Sequence, residues 1–571
     1  MKLRAPVLPL WPAASLWLAA SLWLAVPALG AANVVQETDG TPTTGGAPWR
    51  FVDITAPAGL DHRHAYDPLQ KPIEPRWIAT GAAVGDVDGD GWLDIFLVGG
   101  EWGRDALFRA RGDGTFEDVS LASGVAARER LGAGPVFADL DGDGDLDLLV
   151  LSVSGSPEVL SDPPLMVPEA RPIVYRNRGD GSFEDATEAA GFGAFYAPTY
   201  AAALADVDRD GDLDLMFSHW RFPQGGFFWV GDGAGTFTDA TTMALGPQAD
   251  ALLPFGFTPT FGDLDGDDWP DLVVTGDFGT SQVLRNLGGH FVAVTGPEIT
   301  DENGMGGALG DLDGDGLEDW LVTSILDPDG VAEGSWGLSG NRLYRRSAAG
   351  GFVDDTDGAG VRDGGWGWGA CLADLDNDGD LDLVHSNGFP APGAVEFHHD
   401  PARLFVNQGG GVFLERAAEL GAAVTGQSRG VVCFDADRDG DLDLLMVMNA
   451  APPVLLRNDL PPGAHFLGLH LLGRAPNTRG IGARVRLVAG GHSQHRTLRA
   501  GGSFMASAPP ELHLGLGTAL RAERVEVRWP DGSQSVRGGV AGDRRLAIGH
   551  ALIFADGFET SSFEGWSAAV P

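Results

Sequence analysis

Seven times along the chain one nine-residue pattern returns, with Asp at positions 1, 3, 5 and 9 and, in six of the seven, Gly at position 6. The first loop supplies Asp86, Asp88, Asp90 and Asp94, and the second Asp139, Asp141, Asp143 and Asp147. The third has Asp206, Asp208, Asp210 and Asp214, and the fourth Asp263, Asp265, Asp267 and Asp271. The fifth has Asp311, Asp313, Asp315 and Asp319, and the sixth Asp374, Asp376, Asp378 and Asp382. The seventh has Asp435, Asp437, Asp439 and Asp443. Successive loops start 53, 67, 57, 48, 63 and 61 residues apart. A unit of roughly fifty to sixty residues matches one four-stranded propeller blade with connections of varying length.

A second element follows each loop. It reads apolar-apolar-Arg-Asn, then Gly-Asp-Gly, then Phe-x-Asp-x-Thr, as in Val174-Tyr175-Arg176-Asn177 through Phe183-Glu184-Asp185-Ala186-Thr187. Two apolar strands around a Gly-Asp-Gly turn predict a β-hairpin. The array ends are complementary. Phe51-Val52-Asp53-Ile54-Thr55 has no Leu-Arg-Asn strand before it, and Leu455-Leu456-Arg457-Asn458 has no Phe-x-Asp-x-Thr strand after it. Placing the two side by side closes a ring and removes the free sheet edges. The expected fold is all-β: a seven-bladed β-propeller over residues 49–460, then a small β domain over 463–548.

The loop chemistry points to calcium. Alternate carboxylates at positions 1, 3 and 5 converge when the chain curls, Gly at position 6 permits the tight turn, position 7 offers a carbonyl, and Asp at position 9 closes the cage. Oxygen-only ligands in a flexible loop suit Ca²⁺ better than Mg²⁺. A simple acidic turn would not need four mutually repelling carboxylates in nine residues. Up to seven Ca²⁺ are expected, each pinning a turn between two strands of a blade. The fourth loop departs from the pattern with Asp268 at position 6, which predicts an unfavourable backbone angle and a weaker site. Composition agrees: 80 acidic against 38 basic residues, net −42, disfavour nucleic acid and anionic membranes as partners.

The loops resemble the FG-GAP or VCBS repeats of integrin α-chain propellers. The following segment contains Asn477-Thr-Arg479-Gly480-Ile481-Gly482, Arg499-Ala-Gly501-Gly502-Ser503-Phe504, Leu512-His513-Leu514-Gly515 and Val525-Glu526-Val527-Arg528-Trp529-Pro530-Asp531-Gly532. In this order these motifs resemble the ASPIC/UnbV domain that follows such repeats in the cartilage acidic protein family. The resemblance implies an extracellular calcium-binding protein without a defined activity, and it names no ligand.

Residues 1–32 read as a signal peptide: Lys2 and Arg4, an apolar run from Leu8 to Val26, then Ala28-Leu29-Gly30. No later run is long enough to span a membrane. The chain is therefore expected to be exported, whether extracellular, periplasmic or at the cell surface. Residues 549–571 read equally as a sorting element or a frayed terminus. Cys371 and Cys433 each precede an Asp loop in an apolar strand, which predicts two buried thiols, with a disulfide as the alternative.

Several tempting signals have plainer explanations. Arg111-Gly112-Asp113 and Arg178-Gly179-Asp180 fall in the repeat's own hairpin turn. His62 with His64, and His398 with His399, read as surface pairs. Trp366 and Trp368 read as packing between blades rather than as a sugar platform. No nucleophile elbow, P-loop, zinc-protease motif or dinucleotide fingerprint occurs. The function expected is a non-enzymatic binding or interaction module with a protein or glycan ligand, presented by variable loops such as 152–171 and 326–341. The alternative is a secreted polysaccharide lyase or hydrolase using the propeller mouth.

Overall fold

Each repeat folds as its composition dictates. The first strand of every unit includes Gly, Ala or Ser, and in three blades it is only four residues long, as Ala82–Gly85, Ala202–Ala205 and Gly307–Gly310. Seven such strands converge on one axis, where space is least. The second strand, such as Asp94–Leu97 or Asp214–Phe217, is apolar on both faces and buried throughout, because neighbouring blades cover both sides of the sheet. The outermost strand, such as Phe116–Asp118, Phe183–Asp185 or Phe413–Glu415, buries only its Phe. The structure, a computed structural model, describes residues 49–65, 77–100, 103–127, 130–154, 171–220, 226–247, 249–327, 337–390 and 394–550. The expected signal peptide, most of the two proposed contact loops and residues 551–571 of the tail lie outside these.

Among the described residues the repeats form seven antiparallel sheets of four strands, one per Asp loop, in a β-propeller. We number these blades 1 to 7 by their loop. Every loop joins the innermost strand of its blade to the second. The last blade takes Ser428–Phe434, Asp443–Met448 and Val454–Asp459 from the end of the array and Arg50–Asp53 from its start. The register is Phe51 opposite Asn458 and Val52 opposite Arg457, the pairing that the complementary ends predict. Trp49 Nε1 donates to Asn458 Oδ1 at 2.8 Å beside this seam.

The C-terminal segment forms a four-stranded sheet of Arg484–Ala489, His492–Thr497, Arg521–Arg528 and Gln534–Ala541. A three-stranded sheet of His465–Leu472, Leu512–Gly517 and Arg544–Gly549 completes it. Two short strands between them leave this domain altogether. Ala500–Gly501 pairs with the inner strand of blade 3, and Ala506–Ser507 with that of blade 1. One hydrophobic cluster accordingly runs from Leu469, Val485 and Val527 of the C-terminal domain through Phe504 and Met505 to Tyr200, Phe257 and Trp368 of the propeller.

The cysteines depart from the expectation of two buried thiols. Cys371 and Cys433 form a disulfide, with Cα atoms 6.4 Å apart, that joins the innermost strands of blades 6 and 7. Each reads as a core residue in its own strand. Only the packing of two blades shows that the strands approach side by side at these positions.

Candidate metal loops and the domain seated on them

The seven loops share one hydrogen-bond scheme. Position 1 turns Oδ2 to the N–H of position 6, at 2.9–3.1 Å in every loop, from Gly91→Asp86 to Gly440→Asp435. Position 5 accepts from the N–H of position 7 at 2.8–3.0 Å. Position 9 is a buried strut. Its Oδ2 accepts from the N–H of position 2 at 2.9–3.3 Å. Its Oδ1 accepts from the third strand of the blade at 2.8–3.0 Å.

Backbone shape follows. Position 6 has φ between +90° and +105° where it is Gly, and +70° at Asp268. Position 4 is also left-handed, and in three loops it is Arg209, Asn377 or Arg438 rather than Gly. Those side chains reach the following loop around the ring. Asn377 Nδ2 donates to Gly440 O at 3.1 Å, Arg438 Nε donates to Gly91 O at 3.1 Å, and Arg209 lies 4.6 Å over the Trp269 ring.

The loop carboxylates crowd one another. Carboxylates of positions 1, 3 and 5, or 1, 3 and 9, bring ligand atoms within 4.8 Å of one another. Burial pushes Asp94, Asp147, Asp214 and Asp271 up to about 7, with like charges at positions 1, 3 or 5 adding to the rise. Position 1 leaves Oδ1 of Asp86, Asp206, Asp374 and Asp435 buried with no hydrogen-bond partner among the protein atoms. An oxygen in this state is costly to bury unless something positive meets it. The donor set, all oxygen and several times anionic, fits a hard divalent cation.

The repeat's Arg and Asn, to which sequence reading gave no role, tie these loops together. Asn177 Nδ2 donates to Val87 O in the preceding blade at 2.7 Å and to Leu146 O in its own loop at 3.0 Å. Asn286, Asn407 and Asn458 repeat this bridge. Arg109 and Arg176 pair with Asp88 and Asp141, position 3 of their own loops, at 2.8 Å. Arg-Asn at one point of three repeats, Arg176-Asn177, Arg285-Asn286 and Arg457-Asn458, was the available signal.

The C-terminal domain sits on the loop face. Between residues 463 and 550 it carries twelve Arg and five acidic residues, net +7 in a chain of −42. It contacts the position-1 carboxylate of five loops. Gly515 N donates to Asp374 at 2.8 Å, His495 Nδ1 lies 3.1 Å from Asp311, and Thr478, Arg484 and Arg545 meet Asp139, Asp263 and Asp435. Residues 499–507 continue into the propeller axis. Met505 O accepts from Ala82 N at 3.1 Å, Gly502 N donates to Ala202 O at 2.8 Å, and Ser503 Oγ donates to Ala370 O at 3.1 Å. A Cβ at Gly369 would lie 2.7 Å from Phe504 O, and one at Gly430 2.7 Å from Met505 O, so these two positions admit only Gly.

The comparisons with known proteins bear on both halves. Residues 86–150, 165–217 and 263–322 match the FG-GAP-like repeat, and residues 473–552 match ASPIC and UnbV. The chain carries FG-GAP-like repeats and a C-terminal ASPIC/UnbV domain. It is homologous to cartilage acidic protein 1. The mouse protein is 26% identical over 509 residues, 81% of this chain and 72% of that protein. The Xenopus tropicalis protein is 27% identical over 198 residues, 32% of this chain and 30% of that protein. The matched region thus spans less than a third of the frog relative's length. Among solved structures, an Agrocybe aegerita lectin aligns at TM-score 0.38 and 20% identity, covering 59% of this chain and 80% of that one. Bacillus licheniformis rhamnogalacturonan lyase aligns at 0.37 and 15%, covering 72% and 75%. Likeness at this level bears on neither ligand nor activity.

The remaining sequence signals find ordinary places beside the FG-GAP loops and the ASPIC/UnbV domain. Trp366 and Trp368 are buried, Trp366 stacked on Phe389 at 4.3 Å. Asp113 and Asp180 cap their hairpin turns, accepting from Thr115 N and Ser182 N at 3.0 Å. His64 is not a surface residue but a buried one, accepting from Ala450 N at 3.1 Å. Within the ASPIC/UnbV domain Ser533, His550 and Asp531 meet, a constellation that no sequence motif suggests. Both oxygens approach the same ring nitrogen, Nε2, at 2.9 and 3.0 Å, so the imidazole does not relay a proton between them.

Proposed function

We propose that this protein is an exported, calcium-stabilised propeller that acts as a non-enzymatic binding or interaction module. The observation that carries the calcium reading is the inward Oδ1 of Asp86, Asp206, Asp374 and Asp435, buried and without a protein donor. Asp at positions 1, 3 and 5 would hold the ion, with the strut at position 9 behind them. The role is structural. Each loop joins two strands of a blade, and a ligand bound only by the folded chain stabilises it, by about 2.7 kcal/mol per site at one hundred times Kd. Export is supported by the Cys371–Cys433 disulfide, since such bonds persist in oxidising compartments.

The partner is a protein or a glycan. The propeller mouth is a poor place for an enzyme site on the loop face, because residues 499–507 occupy it. Two measurements test the proposal. Calorimetric unfolding in Ca²⁺ and in EGTA is expected to show a large drop in melting temperature on chelation, and an unchanged value rejects structural calcium. Glycan and protein arrays probed with the Ca²⁺-loaded chain are expected to show binding without turnover. Cleavage of an arrayed polysaccharide rejects the non-enzymatic reading.

A further inference from the structure

Loop 4 is the only one with a side chain at position 6, and Asp268 there holds φ +70°, a region that side chains seldom occupy. The side chain explains the departure. Asp268 takes two guanidinium groups from the ASPIC/UnbV domain, Arg484 and Arg528, with Arg528 Nε 2.8 Å from Oδ1. Arg484 reaches on to Asp263 at position 1. From its own blade Arg285 pairs with Asp265 at position 3 and lies 3.5 Å from Asp267 at position 5.

The carboxylate of position 1 is also satisfied on its inner side. Asp263 Oδ1 accepts from Gly266 N at 2.8 Å and Asp267 N at 3.1 Å; Asp139 and Asp311 take one such bond, from Gly142 N and Gly314 N, and loops 1, 3, 6 and 7 leave that oxygen without a partner. Loop 7 also receives an arginine, Arg545 on Asp435, but it keeps Gly440 and its free Oδ1. In loop 4 alone, guanidinium groups meet the carboxylates of positions 1, 3, 5 and 6 together. Three fixed positive charges already compensate the cage, and a divalent ion would have to enter against them.

We propose that loop 4 is an arginine-filled latch and not a metal site. Arg285, Arg484 and Arg528 take the place of the ion, and Asp268 exchanges the glycine of the other loops for an anchor between the two domains. This rests on the calcium reading of the remaining loops. It adds that the ASPIC/UnbV domain is held at blade 4 by contacts that chelation leaves in place.

The experiment counts calcium bound to the full mature chain by equilibrium dialysis and elemental analysis. Asp265→Asn in loop 4 is expected to leave the number unchanged, whereas Asp208→Asn at the same position of loop 3, where Asp206 keeps a free Oδ1, lowers it by one. The double variant Asp268→Gly, Arg484→Gln, with folding checked by circular dichroism, is expected to bind one ion more than the parent. Loss of one ion by Asp265→Asn, or an unchanged count in the folded double variant, overturns the latch and leaves the calcium reading standing. A parent chain that binds no calcium overturns both.

Discussion

Phe504 of the ASPIC/UnbV domain lies stacked on Trp368 of blade 6, ring centroids 5.6 Å apart and planes 20° apart, on the propeller axis. Phe257 of blade 4 meets the Phe504 ring edge-on at 5.3 Å. The two domains therefore share a core, and the ring is filled by a segment that comes after it in the chain.

That contact sets the first expectation. Phe504 is fully buried, so Phe504→Ala removes its transfer free energy and leaves a cavity at the hub. The loss is about 3–5 kcal/mol. Denaturant unfolding of the whole chain should show one earlier transition. An early transition confined to the C-terminal domain would mean that the domains unfold independently.

The inter-blade asparagine gives a second. Asn177→Ala strips a donor from Val87 O and Leu146 O, both in buried surroundings. Leaving such acceptors unpaired costs about 1–3 kcal/mol. Asn177→Asp should do no better, since one amide donor is replaced by an acceptor. Urea midpoints of the two variants check this.

The disulfide closes a stretch with sequence separation 62. Cys371→Ala, Cys433→Ala should lower stability by about 2–4 kcal/mol, chiefly by releasing the unfolded chain. Peptide mapping of the non-reduced protein should find residues 371 and 433 in one fragment. Two free thiols there would reject the bond.

A pH effect follows for the protein in EGTA. Asp94, Asp147, Asp214 and Asp271 are pushed by burial to about 7 from an ordinary 3.8. The folded chain holds these protons more tightly than the unfolded one, so stability is lost as pH rises towards and through 7. Lowering pH from 8 to 6.5 should therefore raise the melting temperature, each carboxylate adding roughly 0.5–1 kcal/mol. Burial holds His64, His385 and His513 down at about 3, below an ordinary 6.5. Their contribution is intact well above 6.5 but half-way through the unfolded chain's titration at 6.5, so they offset part of the rise at the lower end of the window without reversing it. A melting temperature that falls over this range would show that the metal-free loops are not charge-strained.

Sequence reading located the loops well because each is local: nine residues carry the carboxylates, the turn glycine and the strut. Asp86 to Asp94 close their own hydrogen bonds with little help from elsewhere. The repeat spacing and the unmatched halves at Phe51 and Asn458 were also legible, because pairing is a property of strand counts as well as of packing.

The loop-to-loop reach of Asn377, Arg438 and Arg209 was not legible, since nothing within one loop says what lies beyond it. The same holds for the disulfide.

By itself, then, the sequence determined the blade, the acidic loop and the closing strand, all set by hydrophobic period and short-range hydrogen bonding. Only the tertiary structure decided where the basic ASPIC/UnbV domain sits and what Asp268 does. Those outcomes depend on charge meeting charge across more than two hundred residues, Arg484 and Arg528 on Asp263 and Asp268, and on a hub with room for Phe504 because Gly369 and Gly430 line it.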